Sequence, residues 1–370
     1  MSDTHVYLDL DIINNDQYSN DDPPVLRFEE TRNSPFLDGD SSEYYVSIIR
    51  FSIQTGNELP IFIPRIETGL NQMNINKTVY SVSIEHGTHI STVFLSWIPW
   101  NNAKPPTPPI LKQDLSTRYY YMNNFTQFVE MVNNALLAAW AITGSTIRNA
   151  PFMDFDPQSS RFNINGDISY FVNGTTKLYF NTRLFELLSS FPARFIQNLG
   201  ELNYRIEFNN NNNINVKPIF TPAPSGQCNR VLYSALQIFQ EVSTISLFNP
   251  VASIVFTSSL LPIKATNTSP PKSFNDNNTN LTGGGNNANL TSILTDFEIG
   301  VSEVNQYRPN INYVASGVYR LIDLNSMLNL NRVDLRVFWK SQYGDLIDFH
   351  LQPGMSAHLK LLFRHKRFNE

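Results

Sequence analysis

The residues of this sequence best suited to metal binding are two histidines beside a tight turn. His86 and His89 flank the dipeptide Gly-Thr, so both imidazoles could converge on one zinc ion. A structural zinc site needs four ligands, commonly including cysteine pairs, and Cys228 is the only cysteine of the chain. We therefore interpret both histidines as polar residues that flank a turn.

Two aspartates form the second candidate site. Asp154 and Asp156 alternate in the stretch FMDFDP, so they share one face of a strand. Two carboxylates in that arrangement can bind a cation or act as an acid–base pair. Asp156 also precedes Pro157, however, and an Asp-Pro pair between two strands is typical of a hairpin turn. We interpret this pair as structural.

Sequence motifs for covalent catalysis and phosphate binding are missing. The chain has no G-x-S-x-G nucleophile elbow, and no G-K-[ST] follows the glycines at 283–285. Cys228, in PAPSGQCNR, lacks the basic neighbours that activate a thiol. We predict that the protein is not an enzyme and uses no cofactor or metal.

The composition is that of a protein that works through its surfaces. Of the 370 residues, 41% are hydrophobic and only 16% are charged, against about 25% charged residues in an average soluble domain. A surface poor in charge costs less to desolvate, which favours extensive contact between subunits. The net charge of -5 argues against a general affinity for nucleic acid.

The same sequence indicates where the protein is made. A single cysteine excludes an internal disulfide and fits a reducing compartment. The N-terminal residues lack the basic and apolar segments of a secretory signal. No apolar run reaches the roughly 18 residues of a transmembrane helix. We expect synthesis in the cytoplasm and no membrane span.

The C-terminal stretch Val333–Phe368 predicts three strands joined by two glycine-containing turns. Apolar residues recur at every second position, which indicates a sheet with two distinct faces. They are Leu335, Val337 and Trp339 in the first strand and Leu359, Leu361 and Phe363 in the last. We therefore place Trp339 and Phe363 in the core of a β-sandwich.

Four cations crowd the end of the last strand, namely Lys360, Arg364, Lys366 and Arg367. Because the chain as a whole is acidic, this local positive charge would attract an acidic partner during assembly. The alternative is that these cations only solvate an edge strand and block its pairing with other chains. Both interpretations stay open at this stage.

The middle of the chain differs from the two ends. Apolar residues from Phe125 to Trp140 recur at helical spacing, with Asn124 and Gln127 in the positions of a capping box and Gly144 at the end. Before this helix, the prolines of Asn101–Pro109 form a stiff connector.

We predict an all-β fold, a jelly-roll sandwich with a helix-containing insertion or second lobe. Residues 1–109 and 226–370 would form the sandwich, and residues 110–225 the insertion. The polar tract Ser273–Asn289 has too little apolar content to pack, so we expect a mobile surface loop there.

Several segments carry a family resemblance that covers both ends of the chain and, more loosely, its middle. They are PPVLRFEETRNSPFLDG, YYVSIIRFSIQTGNELPIFIPRI, YYYMNNFTQFVEMVNNAL, FNPVASIVFTSSLLPI, ILTDFEIG, YRPNINYVASGVYRLIDL, VDLRVFWKSQYGDLIDFHL and LKLLFRHKRF. The sequence resembles the penton, or vertex minor capsid, proteins of virophages and of Polinton-like or adintovirus-like viruses. The resemblance implies a homopentamer at the fivefold vertices of a virion, beside the major capsid protein. Packaged nucleic acid and a host receptor remain open as further partners.

Two other functions remain as alternatives. A receptor- or carbohydrate-binding attachment sandwich would show an exposed cluster of aromatic side chains with Asp or Asn on its loops. A glycosidase built on a sandwich would need two carboxylates about 5–10 Å apart, for which Asp154 and Asp156 are the candidates.

Overall fold

The structure, a computed structural model, consists mainly of antiparallel strands. It describes residues 5–15, 23–37, 39–143, 149–171, 174–196, 200–208, 217–220, 232–264, 266–267, 272–274, 281–283, 290–299, 309–317 and 319–368. None of the described helices is both long enough and apolar enough to cross a membrane.

The strands and helices have the following bounds. The strands are β1 His5–Ile13, β2 Arg27–Thr31, β3 Tyr44–Gln54, β4 Lys77–His86, β5 His89–Ser96, β6 Phe152–Asp156, β7 Arg161–Asp167, β8 Thr176–Phe180, β9 Ala193–Phe195, β10 Tyr204–Ile206, β11 Lys217–Phe220, β12 Leu232–Phe239, β13 Val251–Thr257, β14 Thr266–Asn267, β15 Lys272–Phe274, β16 Leu281–Gly283, β17 Leu290–Thr291, β18 Ile293–Glu298, β19 Asn310–Val314, β20 Ile322–Asp323, β21 Arg332–Ser341, β22 Leu346–Asp348 and β23 Ser356–His365. The helices are α1 Phe125–Ile142, α2 Ile168–Phe171 and α3 Thr182–Leu187.

The chain divides into two compact units. The first comprises Met1–Pro60, Pro250–Gly300 and Tyr307–Glu370, and the second comprises Ile61–Asn249 and Val301–Gln306. The main segment of the second unit therefore enters the chain between β3 and β13.

The first unit is a sandwich of two antiparallel sheets. One sheet has the strand order β1-β23-β3-β19, and the other has the order β18-β13-β21-β2. Counted along the chain, these eight strands run 1-8-3-6 in the first sheet and 5-4-7-2 in the second. This order is the double Greek key of a jelly roll, so the predicted fold class is confirmed.

The unit boundaries differ from those of the predicted segments 1–109, 110–225 and 226–370. Residues 61–109 and 226–249 group with the second unit. The reason is strand pairing, since β4 pairs with β8 and β12 pairs with β7. A proline-rich connector indicates local stiffness, but it does not show which distant strands its flanking segments join.

Aromatic side chains fill the jelly roll between its two sheets. The ring of Phe51, on β3, lies with its centroid 5.1 Å from that of Phe256 and 4.9 Å from that of Phe297, both on the opposite sheet. Trp339 and Phe363 are fully buried, each with 0% of its surface exposed. Both therefore belong to the apolar interior of this unit, where truncation would leave a large cavity.

The last strand of the jelly roll is an interior strand. β23 pairs with β1 on one side and with β3 on the other. Its cations therefore do not protect an open edge, and that interpretation of Lys360 and Arg364 is wrong. The sequence could not show this, because the strand that covers β23 comes from the opposite end of the chain.

The second unit contains two sheets, ordered β5-β4-β8-β10-β9 and β11-β12-β7-β6, and helix α1 packs against β4, β5 and β6. Its interior holds a cluster of phenylalanine rings at centroid distances of 4.9–5.9 Å, mostly edge to face. The rings belong to Phe62, Phe125, Phe128, Phe155, Phe162 and Phe248. Edge-to-face contacts suit the ring quadrupole and add to the apolar burial.

The predicted helix is confirmed as α1. Of the two reciprocal hydrogen bonds of the predicted capping box, only the one accepted by the Asn124 side chain is present. The side chain of Asn124 accepts a hydrogen bond from the Gln127 N–H at 3.1 Å. The Gln127 side chain does not return to Asn124; its Nε2 donates to the Ile98 carbonyl at 2.6 Å. The expected C-terminal stop at Gly144 lies outside the described residues.

The predicted loop Ser273–Asn289 lies mostly outside the described residues. Where the structure describes this tract, the backbone forms a short ladder between β15 and β16. The prediction of a continuous loop is therefore wrong for these two short segments, and the remainder stays a prediction.

Candidate assembly surface

The two histidines that suggested a metal site take part in ordinary structural contacts. His86 Nδ1 lies 2.8 Å from the Thr176 hydroxyl, and its ring centroid lies 5.9 Å from that of Trp140. His89 faces solvent on the neighbouring strand. Within the described part of the chain, no three His, Cys, Asp or Glu side chains are grouped as metal ligands. Cys228 lies outside that part.

The predicted aspartate turn is confirmed. The Asp156 carboxylate accepts hydrogen bonds from the Gln158 N–H at 3.0 Å and from the Ser159 hydroxyl at 2.6 Å, between the paired strands β6 and β7. Asp154 accepts a hydrogen bond from Asn165 Nδ2 at 3.2 Å. Both carboxylates are thus bound by their own hairpin.

A second carboxylate cluster, in the sheet of β4 and β8, is also structural. Tyr179 donates its hydroxyl proton to Glu85 Oε2 at 2.5 Å, and Lys177 Nζ lies 2.6 Å from Glu85 Oε1. Burial raises the pKa of Tyr179, and the bond to Glu85 raises it further. Burial alone would raise the pKa of Glu85, but the bonds from Lys177 and Tyr179 hold it below its usual range. The phenol thus keeps its proton and the carboxylate its charge.

The cations of the last strand lie beside carboxylates of the same unit. Lys360 Nζ lies 3.1 Å from Asp9 Oδ2 and 5.4 Å from the centre of the Tyr7 ring. Lys366 Nζ lies 2.7 Å from Asp323 Oδ1. These local pairs cancel much of the positive charge that the sequence presents in this region.

The other two cations differ in exposure. Arg364 is half-buried, whereas the Arg367 side chain is 76% exposed and its Nη2 lies 3.7 Å from Glu43 Oε1. His365 Nε2 lies 3.2 Å from the other oxygen of Glu43. Among the four predicted residues, Arg367 is the one most accessible to a partner.

One end of the jelly roll carries an ordered loop with apolar side chains at its tip. Met327 and Leu328 are 81% and 76% exposed. Ser326 stands in the sequence between β20 and Met327. Its carbonyl accepts hydrogen bonds from the Ser42 N–H and the Ser41 hydroxyl, both at 2.7 Å. The loop is therefore held in place while its two apolar side chains face solvent.

A second loop lies next to it. The Asn325 N–H donates to the Pro262 carbonyl at 2.7 Å, which joins the Met327 loop to the segment that follows β13. That segment carries Leu260, which is 44% exposed. We call the surface of Leu260, Met327 and Leu328 the apolar end of the jelly roll.

The buried carboxylate of Asp334 holds the Leu260 segment. It accepts hydrogen bonds from the Ser258 hydroxyl at 2.8 Å, from the Ser259 hydroxyl and N–H at 2.7 and 3.0 Å, and from the Leu260 N–H at 2.7 Å. Burial alone would raise the pKa of Asp334, but these hydrogen bonds hold it below its usual range. One side chain of β21 thus shapes the loop at the apolar end.

Sequence reasoning missed the apolar end. Met327 and Leu328 stand in the stretch NSMLNLN, where apolar residues alternate with asparagine without the length of a strand. An apolar pair inside a turn-rich segment is the signal that could have pointed to it, because exposed apolar side chains that lie together often mark an interaction surface.

The sequence matches a known family over nearly its whole length. Residues 6–365 match the family described as Sputnik minor capsid protein V18/19. The uncharacterized protein V18 of Sputnik virophage is 38% identical over 118 residues, which is 30% of this chain and 70% of V18. The structural protein V19 of the same virophage is 33% identical over 135 residues, or 36% of this chain and 58% of V19.

Two solved structures share the fold. A chain of the Sputnik virophage, determined by cryo-EM, aligns over 98% of this chain and 99% of its own length, with 27% identity and a TM-score of 0.79. The mavirus penton protein, in a crystal structure, aligns over 97% and 99%, with 16% identity and a TM-score of 0.62. Because the family match runs from residue 6 to residue 365, this chain is a minor capsid protein and belongs to the Sputnik V18/19 family.

Proposed function

We propose that the protein forms a homopentamer that closes the fivefold vertices of an icosahedral virion, where it contacts the major capsid protein. The observation that carries this proposal is the alignment of 98% of the chain with a chain of the Sputnik virion at a TM-score of 0.79. The shared fold of the mavirus penton protein supports it. In this role the protein has no enzymatic step and assembles with other capsid proteins in the host cytoplasm.

The apolar end is the surface that we assign to contact between copies. Large exposed apolar side chains are favourable to bury, and a loop already held by hydrogen bonds loses little conformational entropy when it is buried. In a closed ring, each copy would present Met327 and Leu328 to the next copy. The low charge content of the chain favours such a contact as well.

Paired charge variants test the ring and its contact. We expect the wild-type protein to include a species of five 42.2-kDa chains by mass photometry. Met327→Asp combined with Leu328→Asp should abolish this species, because two carboxylates would have to be desolvated in the contact. The matched control is Leu70→Asp combined with Met73→Asp, since these side chains of the second unit are 76% and 77% exposed. The control should keep the pentamer.

Two results would contradict this proposal. A protein that stays monomeric at all concentrations and is absent from the vertices in a cryo-EM reconstruction of particles is not a penton. A ring that survives the Met327 and Leu328 variant but breaks in the Leu70 and Met73 control uses another surface. The second result would overturn the assigned contact and leave the vertex location intact.

We also propose that, of the C-terminal cations Lys360, Arg364, Lys366 and Arg367, it is Arg367 that supports assembly. The exposure of Arg367 and the long 3.7 Å separation of its ion pair with Glu43 favour this residue for contact with an acidic neighbour. The short ion pairs of Lys360 and Lys366 instead favour a role within the subunit.

A further inference from the structure

A slot lies along the seam of the jelly roll, where the two sheets end side by side. β18 is the last strand of one sheet and β19 the last strand of the other. Between them is a cavity of about 380 Å³, lined by Phe51, Phe297 and Tyr313 and by the rim residues Asp296 and Glu298. This volume lies within the roughly 300–1,000 Å³ of ligand-binding pockets.

The inner wall of the slot is aromatic. The ring centroid of Tyr313 lies 4.3 Å from that of Phe297 and 5.6 Å from that of Phe51. Phe51 and Phe297 are themselves 4.9 Å apart. The three rings form a continuous apolar surface that suits one apolar side chain of a ligand.

The backbone of β19 is open along the same seam. The Thr55 N–H donates to the Pro309 carbonyl at 3.0 Å, and the Ala315 N–H donates to the Ile49 carbonyl at 2.9 Å. Residues 309 and 315 therefore turn their polar backbone groups toward β3. In an antiparallel strand, successive residues turn their backbone N–H and C=O groups to opposite sides. The backbone groups of residues 310, 312 and 314 therefore point away from β3. No other described strand pairs with that side.

The rim of the slot has an uneven charge. The Arg320 guanidinium lies 5.4 Å from the centre of the Phe297 ring and 3.6 Å from Asp296 Oδ1, so it closes one end of the slot and neutralises Asp296. Glu298 is exposed and forms no ion pair with any described residue. The open end of the slot is therefore acidic.

We propose that this slot binds an extended, basic peptide segment of a partner protein. The segment adds to the jelly roll as a strand along β19 and packs one apolar side chain against the joined rings of Phe297 and Tyr313. A basic residue two positions away points to the same side of the added strand and meets Glu298. Backbone pairing supplies affinity in this mode, and the slot and Glu298 supply selectivity. The proposal goes beyond the vertex function, since it assigns a peptide-binding site to the single subunit and not a contact between copies.

A labelled peptide with this alternating pattern tests the proposal. The probe is fluorescein-Ser-Lys-Thr-Phe-Thr-Lys-Ser, and its binding to the full chain is followed by fluorescence anisotropy. Two further peptides replace either Phe by Ser or both Lys by Glu. We expect saturable binding of the first peptide with a Kd below about 1 mM, and binding at least about tenfold weaker for the other two.

Three protein variants localise the binding. Glu298→Lys should weaken binding of the first peptide about fivefold, which is the size expected for one partly exposed charge pair. Asn312→Pro removes one seam-facing N–H, which an edge strand tolerates, and should weaken binding about tenfold. The control Asp40→Lys changes an exposed residue by the same charge and should leave binding within about twofold. If Asn312→Pro fails to fold, Glu298→Lys and the two altered peptides still decide the result.

Several outcomes would overturn the proposal. They are the absence of saturation, equal binding of all three peptides, and a Kd that Glu298→Lys leaves unchanged. Hydrogen exchange distinguishes a partner peptide from a second copy of this chain as the occupant of the slot. If the amides of Asn312 and Val314 become protected when the protein self-associates without peptide, a second copy covers the seam and the proposed partner is wrong.

Discussion

Removal of the Asp334 carboxylate tests whether one buried side chain holds the loop that follows β13. Asp334 is 3% exposed, and its oxygens accept four hydrogen bonds of 2.7–3.0 Å from Ser258, Ser259 and Leu260. Arg27 Nη2 lies 3.4 Å from the same carboxylate. Asp334→Ala removes the acceptor from all of these donors at once.

The expected loss of stability follows from the burial of the donors. A hydrogen bond to a charged group contributes about 1.5–3 kcal/mol, so simple addition of four bonds would give about 6–12 kcal/mol. Ser259 and Leu260 are exposed, and water can replace the bonds of their donors. Ser258 is buried, so water cannot replace the hydrogen bond that its hydroxyl loses. We therefore expect a decrease of about 3–5 kcal/mol in the free energy of unfolding, as for other broken buried charge clusters.

Asp348 provides the matched control. It is held by two hydrogen bonds from Arg336, at 2.8 and 2.7 Å, and both side chains of this pair are partly exposed. Asp348→Ala should cost about 1 kcal/mol or less, because water screens the pair. The assay is urea unfolding at pH 7, with unchanged slopes for both variants. Equal losses for the two variants would refute the reasoning from burial.

The pH dependence of unfolding gives a second readout. The pKa of Asp334 in the folded protein lies below its usual range, whereas in the unfolded chain it returns to about 3.9. Its charged form therefore stabilises the fold fully above about pH 4, and this contribution is lost as the pH falls through the lowered pKa. Below about pH 4 the difference in stability between wild type and Asp334→Ala should shrink.

Two further predictions concern the core and the C-terminal cations. Trp339→Ala and Phe363→Ala should each lower the free energy of unfolding by about 3–5 kcal/mol, because both side chains are fully buried; an unchanged melting temperature would remove them from the core. Arg367→Glu should leave the melting temperature within about 1–2 °C and reduce incorporation into particles, whereas Lys366→Glu should also destabilise the subunit because it faces Asp323 at 2.7 Å. At high salt the wild-type protein should show the same incorporation defect, because screening weakens exposed charge pairs. If Arg367→Glu were incorporated normally at every salt concentration, Arg367 would have no role beyond its contact with Glu43.

Local periodicity was sufficient to find the main elements. The alternation around Trp339 and Phe363 predicted β21 and β23, and the helical spacing from Phe125 predicted α1. In these segments the buried face continues over several residues of one element, so the pattern is visible without knowledge of the partner. The jelly-roll class followed from many short strands and from the family resemblance.

Features that depend on distant partners could not be read from the sequence. The pairing of β1 with β23 joins the two ends of the chain, so nothing near Lys360 shows that its strand is covered. Asp334 stands in phase with Arg336, on the face expected to be polar and exposed. It is buried because the loop at Ser258 folds over that face. Likewise, the slot between β18 and β19 exists only where the two sheets meet.

The second unit shows how a side chain can close the edge of a sheet. β6 is an edge strand, and Asn133 of α1 lies beside it. Asn133 Nδ2 donates to the Met153 carbonyl at 2.9 Å, and the Met153 N–H donates to Asn133 Oδ1 at 2.7 Å. The amide thus takes both backbone bonds that a further strand would make at Met153. In a protein that assembles at high local concentration, this contact protects an edge from unplanned pairing.

The neighbouring residue makes this role testable. Asn133→Ala should lower the free energy of unfolding by about 1–3 kcal/mol, because the N–H and the carbonyl of Met153 lose their partners. Asn134→Ala, on the exposed face of the same helix, should instead stabilise the protein by roughly 0.5 kcal/mol through helix propensity. Asn133→Ala should also aggregate faster below its melting temperature, as followed by light scattering. If both alanine variants were equally stabilised, helix propensity alone would explain them, and Asn133 would not be the group that closes the β6 edge.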